Sequence, residues 1–513
     1  MSTLKNVFMV GWFTMVSRFL GLAREMLQSR LIGAGIEQSA FTLAFAIPNM
    51  ARKLFGEGAL TAAFVPVFKG EVESVGLEKA SRLARAVITM MLLMVGAVVA
   101  IGFVALFVVG SATVAPESQY RMNVTVKLIA ILLPYMLAIC GAAFGMGVLN
   151  ALGRFKASSF MPALLNIIWI VALCVLLLIP DVSASARIYW VAGAILLGGF
   201  AQMAFMFVCM SRVGVRPLPL FRGWRSEKVR LVWRNTFIAA LGAGAVQINY
   251  MLDQVLGQLA APWAAGVIGY AERLMDLPLG VIGVAFGTVL LPTFSGFFAK
   301  NDVAGARDAL RESVVQQMFV MIPAAFGLAV VAPVVTEVIY QGGNFDAVAT
   351  TRVSRALAVY ALGLGFFGLQ KSLLPWFQAQ NDMKTPLHVS VITVIVNATL
   401  NVLAVFLLPQ EWRHVGLAVS TVVCAALGCA IFIMIARARK QSLGFVGILP
   451  YLAKVVLASL VMASAVYAVD HLGQHVCAIS RLVGDMAVGG LVYFPLSFAL
   501  KTNRFPWRRR RSK

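Results

Sequence analysis

The sequence predicts an all-α polytopic membrane protein with about 14 transmembrane helices. Apolar runs of about 20 residues recur from one end of the chain to the other, and a helix of that length crosses a hydrocarbon core of about 30 Å. The composition agrees, because 60% of the residues are hydrophobic and only 12% are charged, unlike the balance of a soluble domain. A transmembrane β-barrel would instead show alternating segments of about ten residues, and the sequence contains no such pattern.

Fourteen stretches are candidate transmembrane helices. The first has no small-residue cleavage site and continues into an arginine-bearing segment, so we interpret it as a retained helix and not as a signal peptide. In chain order the stretches are 5–32, 38–68, 84–110, 124–151, 159–180, 188–211, 232–259, 264–298, 313–339, 352–379, 385–408, 414–436, 449–468 and 483–500.

The loops between these stretches alternate in charge. Lysine and arginine collect in loops such as 69–85 and 212–234 and in the C-terminal tail, whereas 33–39 contains neither. The positive-inside rule therefore places both termini in the cytoplasm, with 33–39 and 341–350 outside. The net charge of +22 reflects this orientation better than it reflects a nucleic-acid surface.

The chain also contains a weak internal repeat. Residues 64–68 resemble residues 290–294, and each segment follows a helix with an earlier proline. This predicts two pseudo-symmetric six-helix lobes, a common transporter plan, although chance similarity between apolar helices is the alternative. The predicted domains are an N-terminal lobe at 1–213, a C-terminal lobe with the basic linker at 214–440, and two extra helices with a basic cytoplasmic tail at 441–513. The two extra helices hold almost no charge, which favours packing on the lipid side.

The first two stretches contain charges that apolar helices normally exclude. An arginine at the centre of a membrane helix costs about 2.5–3.5 kcal/mol, so several of them predict an anionic ligand. Pro48 and Gly56-Glu57-Gly58 are expected to bend or loosen the second helix, as in helices that line a cavity. The cations are Arg18, Arg24, Arg30, Arg52 and Lys53, and the acids in the same helices are Glu25 and Glu57.

Three sites in the second half are also candidates. Arg273 lies between Glu272 and Asp276, where ligand binding and a local i, i+3 pair are both open interpretations. Asp253, within the seventh stretch, is a candidate for binding a cation or a proton. Asp382 is a similar candidate, and a helix N-cap is its alternative role.

Enzymatic motifs are absent from the sequence. There is no Walker A, G-x-S-x-G or H-E-x-x-H pattern, and the six cysteines form no C-x-x-C pair. A membrane glycosyltransferase or acyltransferase would need a buried acid or histidine dyad, which the sequence does not offer. We therefore expect a transporter and not an enzyme, with no metal site and no cofactor.

Two sets of motifs occur along the chain. The first half contains Ser17-Arg18-Phe19-Leu20-Gly21-Leu22-Ala23-Arg24-Glu25, Gly33-Ala34-Gly35, Pro48-Asn49-x-x-Arg52, Gly56-Glu57-Gly58-Ala59 and Ala63-Phe64-Val65-Pro66. The second half contains Glu272-Arg273-Leu274-Met275, Leu291-Pro292 and Asp382-Met383-Lys384-Thr385-Pro386. Together these motifs resemble the MurJ (MviN) family, in the multidrug/oligosaccharidyl-lipid/polysaccharide exporter superfamily.

The resemblance implies a flippase for lipid II, the peptidoglycan precursor, in the bacterial inner membrane. It implies 14 helices in two lobes around a cationic cavity, with a groove for the polyprenyl tail at the last two helices. Alternating access would be driven by membrane potential, Na⁺ or H⁺. Lipid II and membrane lipids would be the partners, with no nucleic acid, and the chain would act as a monomer associated with the cell-wall synthesis machinery.

By position, the resemblance also assigns site residues. Ser39 departs from the family, which often has an acid there. The alternative function is export of another polyprenyl-diphosphate saccharide or of a drug, although a cationic drug would suit an acidic cavity. The substrate-binding residues implied are Arg18, Arg24, Arg52, Arg273, Ser17, Asn49 and Glu57, and the ion-coupling acids are Asp253 and Asp382.

Overall fold

A computed structural model describes residues 2–56, 59–111, 116–179, 181–221, 226–441, 443–445 and 447–502 of the chain. Over these ranges the backbone is helical and forms no β-strand, and Gly342 and Phe345 make an isolated antiparallel bridge. The predicted all-α class is therefore confirmed. The predicted basic tail after residue 502 lies outside the described residues.

Seventeen α-helices and one π-helical turn, Arg52–Gly56, make up the described chain. The α-helices are α1 (Ser2–Ile32), α2 (Ile36–Ala51), α3 (Ala59–Val75), α4 (Leu77–Gly110), α5 (Pro116–Leu132), α6 (Tyr135–Ala151), α7 (Phe155–Leu177), α8 (Ala184–Arg212), α9 (Glu227–Ala260), α10 (Ala264–Ala299), α11 (Val303–Tyr340), α12 (Ala347–Leu362), α13 (Leu364–Gln378), α14 (Lys384–Leu407), α15 (Gln410–Ala438), α16 (Leu449–Leu472) and α17 (Ala478–Ala499).

Each predicted stretch coincides with one helix or with two consecutive helices. Within the described ranges, nine helical segments are long and apolar enough to cross a membrane. The number is ten if α12 and α13, which meet at 44°, count as one span. The chain is thus a polytopic helical membrane protein, while the total of 14 spans and the two six-helix lobes stay predictions.

The second predicted stretch, 38–68, is interrupted in the structure near the residues that were expected to bend or loosen it. Pro48 is buried inside α2, and the backbone passes into a π-helical turn at Arg52 before α3 begins. A π-turn widens the helix by one residue and is frequent at functional sites. The prediction that Pro48 and Gly56 loosen this helix is therefore confirmed, whereas Glu57 and Gly58 lie outside the described residues.

The chain divides into two compact units. The first comprises Met1–Gln258 with Gly342–Phe345, and the second comprises Leu259–Gln341 with Asp346–Lys513. Helix α9 therefore packs in the first unit, whereas the predicted lobe boundary at residue 213 assigns it to the second. Contacts across long sequence distances explain this difference, since they tie both ends of α9 to the first unit: Lys228 pairs with Glu71, and Arg121 Nη1 donates to Gln258 O at 2.8 Å.

In the first unit, glycines allow close helix packing. A Cβ at Gly199 would lie 2.3 Å from the ring of Tyr135, so α6 and α8 approach closely there. The turn Gly342–Phe345 closes on the end of α1, where Asn344 N donates to Arg30 O at 2.8 Å. Gly343 has φ +55°, and a Cβ there would lie 2.3 Å from the same oxygen, so the turn requires glycine.

In the second unit, Trp376 of α13 is fully buried against Phe294 and Phe298 of α10. The ring centroids lie 5.7 Å and 5.2 Å apart in edge-to-face geometry, an arrangement that aromatic pairs favour. Helix α16 packs between α11 and α17, and the Tyr493 hydroxyl donates to Phe319 O at 2.6 Å. The two C-terminal helices are thus firmly attached to α11.

Candidate functional site

Arg24 is the centre of a polar cluster between α1 and α7. Its Nη1 donates to Asn166 Oδ1 at 2.9 Å, and its Nη2 donates to Glu25 Oε1 at 2.5 Å. The guanidinium also lies over the Trp169 ring, 4.3 Å from the centroid. The Arg24 and Glu25 side chains are each 13% exposed, so this charge pair is largely removed from solvent.

Asn166 connects this cluster to Ser17. Its Nδ2 donates to Ser17 O at 3.1 Å and to Ser17 Oγ at 3.4 Å, while its Oδ1 accepts from Arg24. Ser17 and Arg24 lie two turns apart on α1, so one amide side chain from α7 holds both. We name Ser17, Arg24, Glu25, Asn166 and Trp169 the Arg24 cluster.

Asn166 and Trp169 were not predicted as site residues from the sequence. Both lie in the apolar run of α7, where Asn166 is a polar residue that is 7% exposed and Trp169 is 2% exposed. A buried amide in an apolar membrane helix needs a polar partner. That mismatch is the signal that could have identified Asn166, although it would not have identified the partner.

One N–H group of the Arg24 guanidinium is not used in a hydrogen bond to the described residues. Its Nε is buried and meets no acceptor among the residues that the structure describes. A guanidinium has five N–H groups in a planar fork that matches phosphate and carboxylate oxygens. The cluster therefore orients Arg24 through Glu25, Asn166 and Trp169 and still offers hydrogen bonding to an anion.

Arg52 begins the π-helical turn and is held by Asn49. Asn49 Oδ1 accepts from Arg52 Nε at 3.1 Å and from Arg52 Nη2 at 2.9 Å. Next to it, Lys53 Nζ lies 5.2 Å from the Tyr250 ring centroid, within cation–π range. The predicted pair Asn49 and Arg52 is thus in direct contact, and its bonds fix one edge of the guanidinium.

The other predicted residues of the first unit are Arg18, Ser39 and Glu57, and Arg18 and Ser39 each take part in an interaction with their surroundings. Arg18 is exposed on α1, whereas Ser39 is fully buried in α2. Burial of Ser39 agrees with its small, uncharged side chain, since an acid there would need a partner. Glu57 lies outside the described residues.

In the second unit, Arg273 is exposed on α10 and Asp276 is exposed three residues further on. Glu272 is half-buried beside them. The spacing puts Arg273 and Asp276 on one face of the helix, and each of the three takes part in an interaction with its surroundings. Local pairing and ligand binding both stay open for Arg273.

Asp253 is 8% exposed in α9 and accepts from Asn249 Nδ2 at 3.2 Å. Three further amide atoms on this helix, Gln247 Oε1, Asn249 Oδ1 and Gln254 Oε1, are buried without a hydrogen-bond partner in the described chain. Carboxylate and amide oxygens are ligands for hard cations. The donor chemistry of this part of α9 therefore suits Na⁺ as well as a proton.

Asp382 occupies a different environment, immediately before α14. Its Oδ1 accepts from Thr385 N at 3.0 Å, and its Oδ2 accepts from Thr385 Oγ1 at 2.6 Å and from Arg439 Nη1 at 2.5 Å. Burial raises the pKa of this carboxyl, but the bonds from Thr385 and Arg439 outweigh burial and lower the pKa to about 2. The Asp382 side chain thus accepts a backbone N–H bond from the first turn of α14, as a capping residue does, although the N-cap position itself is Met383.

Several helices contain internal prolines, and half-buried guanidinium groups lie in apolar segments. Both features are typical of one class of protein, the polytopic membrane transporters. Solved structures of membrane proteins share the fold of this chain, two of them over most of its length. One, "Lipid II flippase MurJ, inward closed conformation", has TM-score 0.77 and 23% identity and covers 97% of this chain and 99% of that one. The other, an inward-facing multidrug resistance MATE family transporter of the MOP superfamily, has TM-score 0.67 and 15% identity over 83% of this chain and 96% of that one.

The chain belongs to the lipid II flippase MurJ family, whose model matches residues 28–484. A probable lipid II flippase MurJ of Rhizobium meliloti is 30% identical over 98% of this chain and 94% of its own length. The lipid II flippase MurJ of Burkholderia cenocepacia is 31% identical over 94% of this chain and 91% of its own length. The family predicted from the motifs is confirmed, and it is a family of flippases and not of enzymes.

Proposed function

We propose that this chain flips lipid II from the cytoplasmic to the periplasmic leaflet of the bacterial inner membrane by alternating access. Its family, matched over residues 28–484, supports this substrate. The Arg24 cluster is the observation in this chain that carries the proposal. Its guanidinium is oriented and largely buried, and its Nε has no acceptor among the described residues. A charge of this kind in an apolar membrane helix costs free energy.

The chemistry of the substrate explains why arginine is used. A polyprenyl-linked precursor carries a diphosphate where its hydrocarbon tail meets its sugar-peptide head. Guanidinium is permanently charged and grips phosphate oxygens two at a time, whereas lysine acts as a point charge. We assign diphosphate binding to Arg18, Arg24 and Arg52 of the first unit and to Arg273 of the second.

The neighbouring residues have supporting roles in this proposal. Ser17 acts through Asn166, which holds one arm of Arg24, and Asn49 holds one edge of Arg52. Glu25 offsets the charge of Arg24 inside the apolar helix. Fixed side chains of this kind lower the entropy lost when the substrate binds.

We further propose that an ion gradient or the membrane potential drives the cycle, with Asp253 and Asp382 as the coupling acids. Asp253 supplies the sharper test because it is a largely buried acid with the Asn249 amide one turn away, and both side chains have oxygens that can bind a cation. Asp253→Asn should slow turnover with little loss of substrate binding. Full activity of Asp253→Asn with unchanged dependence on membrane potential would contradict this assignment.

For topology, we propose 14 spans in two six-helix lobes plus two C-terminal helices, with both termini cytoplasmic. Gly35→Cys should then react with an impermeant thiol reagent from outside. The exposed Cys174 and Cys477 should be replaced first, so that they do not contribute to labelling. Reaction only after permeabilisation would contradict this orientation.

For assembly, we propose a functional monomer that associates with the cell-wall synthesis machinery. A single-copy particle that is active after reconstitution would support the monomer. Activity restricted to dimers separated by size would contradict it.

The proposed function is tested by complementation. A bacterial strain depleted of its own lipid II flippase should grow and keep its shape when it expresses this chain. The control is an equal amount of the Arg24→Ala variant in the membrane, which should not restore growth. Failure of the unmodified chain to restore growth, despite normal insertion in the membrane, would contradict the proposal.

A further inference from the structure

A groove of about 510 Å³ lies in the second unit between α10, α11, α16 and α17. Its lining is almost wholly apolar and includes Phe319, Pro323, Met462 and Phe494. Among the described residues that line the groove, Asp485 is the one acidic residue, and none is basic. A carboxyl group in such surroundings requires an explanation.

Asp485 is 1% exposed, and neither of its carboxyl oxygens has a hydrogen-bond partner in the described part of the chain. The nearest basic residue along the helix is Arg481, four residues earlier on the same face of α17. Arg481 already forms ion pairs with two other acids. Its Nη2 donates to Asp470 Oδ1 at 2.6 Å, and its Nη1 lies 3.8 Å from Glu337 Oε2.

The charges around the groove do not balance if every acid is ionised. Glu337 of α11 and Asp470 of α16 both pair with the single guanidinium of Arg481. Asp485 of α17 is a third acid in the same region, so the three carboxylates would exceed the one cation that pairs with them. Helix α10 contributes only apolar residues to the lining. The Tyr493 hydroxyl donates to Phe319 O and so does not neutralise Asp485.

Physical chemistry leaves two ways to neutralise such a buried carboxylate: a cation or a proton. A metal cation needs several oxygen ligands, and the apolar lining does not supply them. Consistent with this, the described residues contain no group of three or more metal-binding side chains. A proton needs no ligand other than Asp485 itself.

We propose that Asp485 is a proton-binding site that faces the groove and is a neutral carboxylic acid at neutral pH. The site is separate from Asp253 and Asp382, and it adds a protonatable group to the two helices outside the predicted repeat. It does not depend on the proposed function, because binding of a proton can be measured without transport.

Infrared spectroscopy of the purified full-length protein tests the proposal directly. A protonated carboxyl has a C=O stretch above the frequency of a carboxylate. We expect such a band at neutral pH, a decrease of that band at alkaline pH, and its loss in Asp485→Asn. The asparagine has almost the same shape as the neutral acid, so this variant should keep the fold. If Asp485→Asn leaves the protonated-carboxyl band unchanged, Asp485 is ionised and the proposal is wrong.

Labelling with dicyclohexylcarbodiimide locates the proton on a particular residue. The O–H proton moves to a carbodiimide nitrogen while the carboxyl oxygen bonds to the central carbon, so the adduct retains every atom. Peptide mass spectrometry should find the adduct on Asp485 at neutral pH. Asp470, which is paired with Arg481, is the matched control and should stay unlabelled. Preferential labelling of Asp470 would overturn the assignment.

Discussion

Replacement of Arg24 gives the most informative test of the candidate site. Arg24→Ala removes the hydrogen bonds to Asn166 and Glu25 and the contact with Trp169. It also removes Arg24 from its ion pair with the Glu25 carboxylate, which is 13% exposed. Loss of one partner from a buried ion pair costs about 3–5 kcal/mol, and the cation–π contact adds about 0.5–2 kcal/mol.

This destabilisation must be separated from loss of substrate binding. Arg24→Gln combined with Glu25→Gln removes both charges, so no unpaired carboxylate remains. We expect the double variant to be more stable than Arg24→Ala, because removal of both charges leaves no uncompensated buried charge of the pair. It should still fail to transport, because the guanidinium is absent.

Arg24→Lys separates charge from geometry. A lysine keeps the positive charge but cannot bind Asn166, Glu25 and phosphate oxygens through one planar fork. We expect it to fail in transport almost as completely as Arg24→Ala. The matched control is Arg82→Lys, since Arg82 pairs with Glu78 at the surface and is 67% exposed, where such pairs contribute about 0–1 kcal/mol.

The assay combines growth of a flippase-depleted strain with the amount of each variant in the membrane. We predict normal amounts in the membrane but no growth for the double variant and for Arg24→Lys, and normal growth for Arg82→Lys. Normal transport by Arg24→Lys would refute the role of the fork. Loss of every Arg24 variant from the membrane would show that the cluster is structural.

Two other changes have outcomes that follow from local geometry. Gly343→Ala should lower the free energy of unfolding by at least about 1–2 kcal/mol, because its Cβ would lie 2.3 Å from the Arg30 carbonyl oxygen. A lower melting temperature would show this loss. Gly153→Ala, at φ +72° in open space, is the control, and an equal decrease in both variants would contradict this reasoning. The lowered pKa of Asp382, about 2, means that its bonds with Thr385 and Arg439 stabilise the fold above the ordinary pKa of about 4. That stability is lost as pH falls towards 2, and Asp382→Asn should abolish this part of the acid sensitivity in a denaturation series.

Much of the fold could be predicted because apolar runs of membrane-spanning length are local signals. The break near Pro48 could be predicted for the same reason, because a proline within an apolar run is also a local signal. Asn166 could not be assigned to Arg24, since 142 residues separate the two partners. The sequence does not state which helices meet, and that information decides what a buried amide binds.

The same limit explains α9 and Asp485. Helix α9 was assigned by its position after the basic loop, but its packing against Arg121 and Glu71 depends on contacts made far along the chain. Asp485 was not predicted as a site residue because the predicted stretch began at residue 483, which placed this acid near a helix end. In the structure α17 begins at Ala478, so Asp485 lies inside the helix. Its burial and its lack of a partner among the described residues became evident only with α11 and α16 in place.

The central claim is that this chain moves lipid II across a membrane by means of its arginines. Transbilayer movement of fluorescent lipid II, in vesicles that contain the purified protein, measures this most directly. We predict that the unmodified chain and Arg82→Lys move lipid II at the same rate, and that Arg24→Lys moves it no faster than protein-free vesicles do. Equal rates for Arg24→Lys and the unmodified chain, or no movement by the unmodified chain under an imposed membrane potential, would contradict the account.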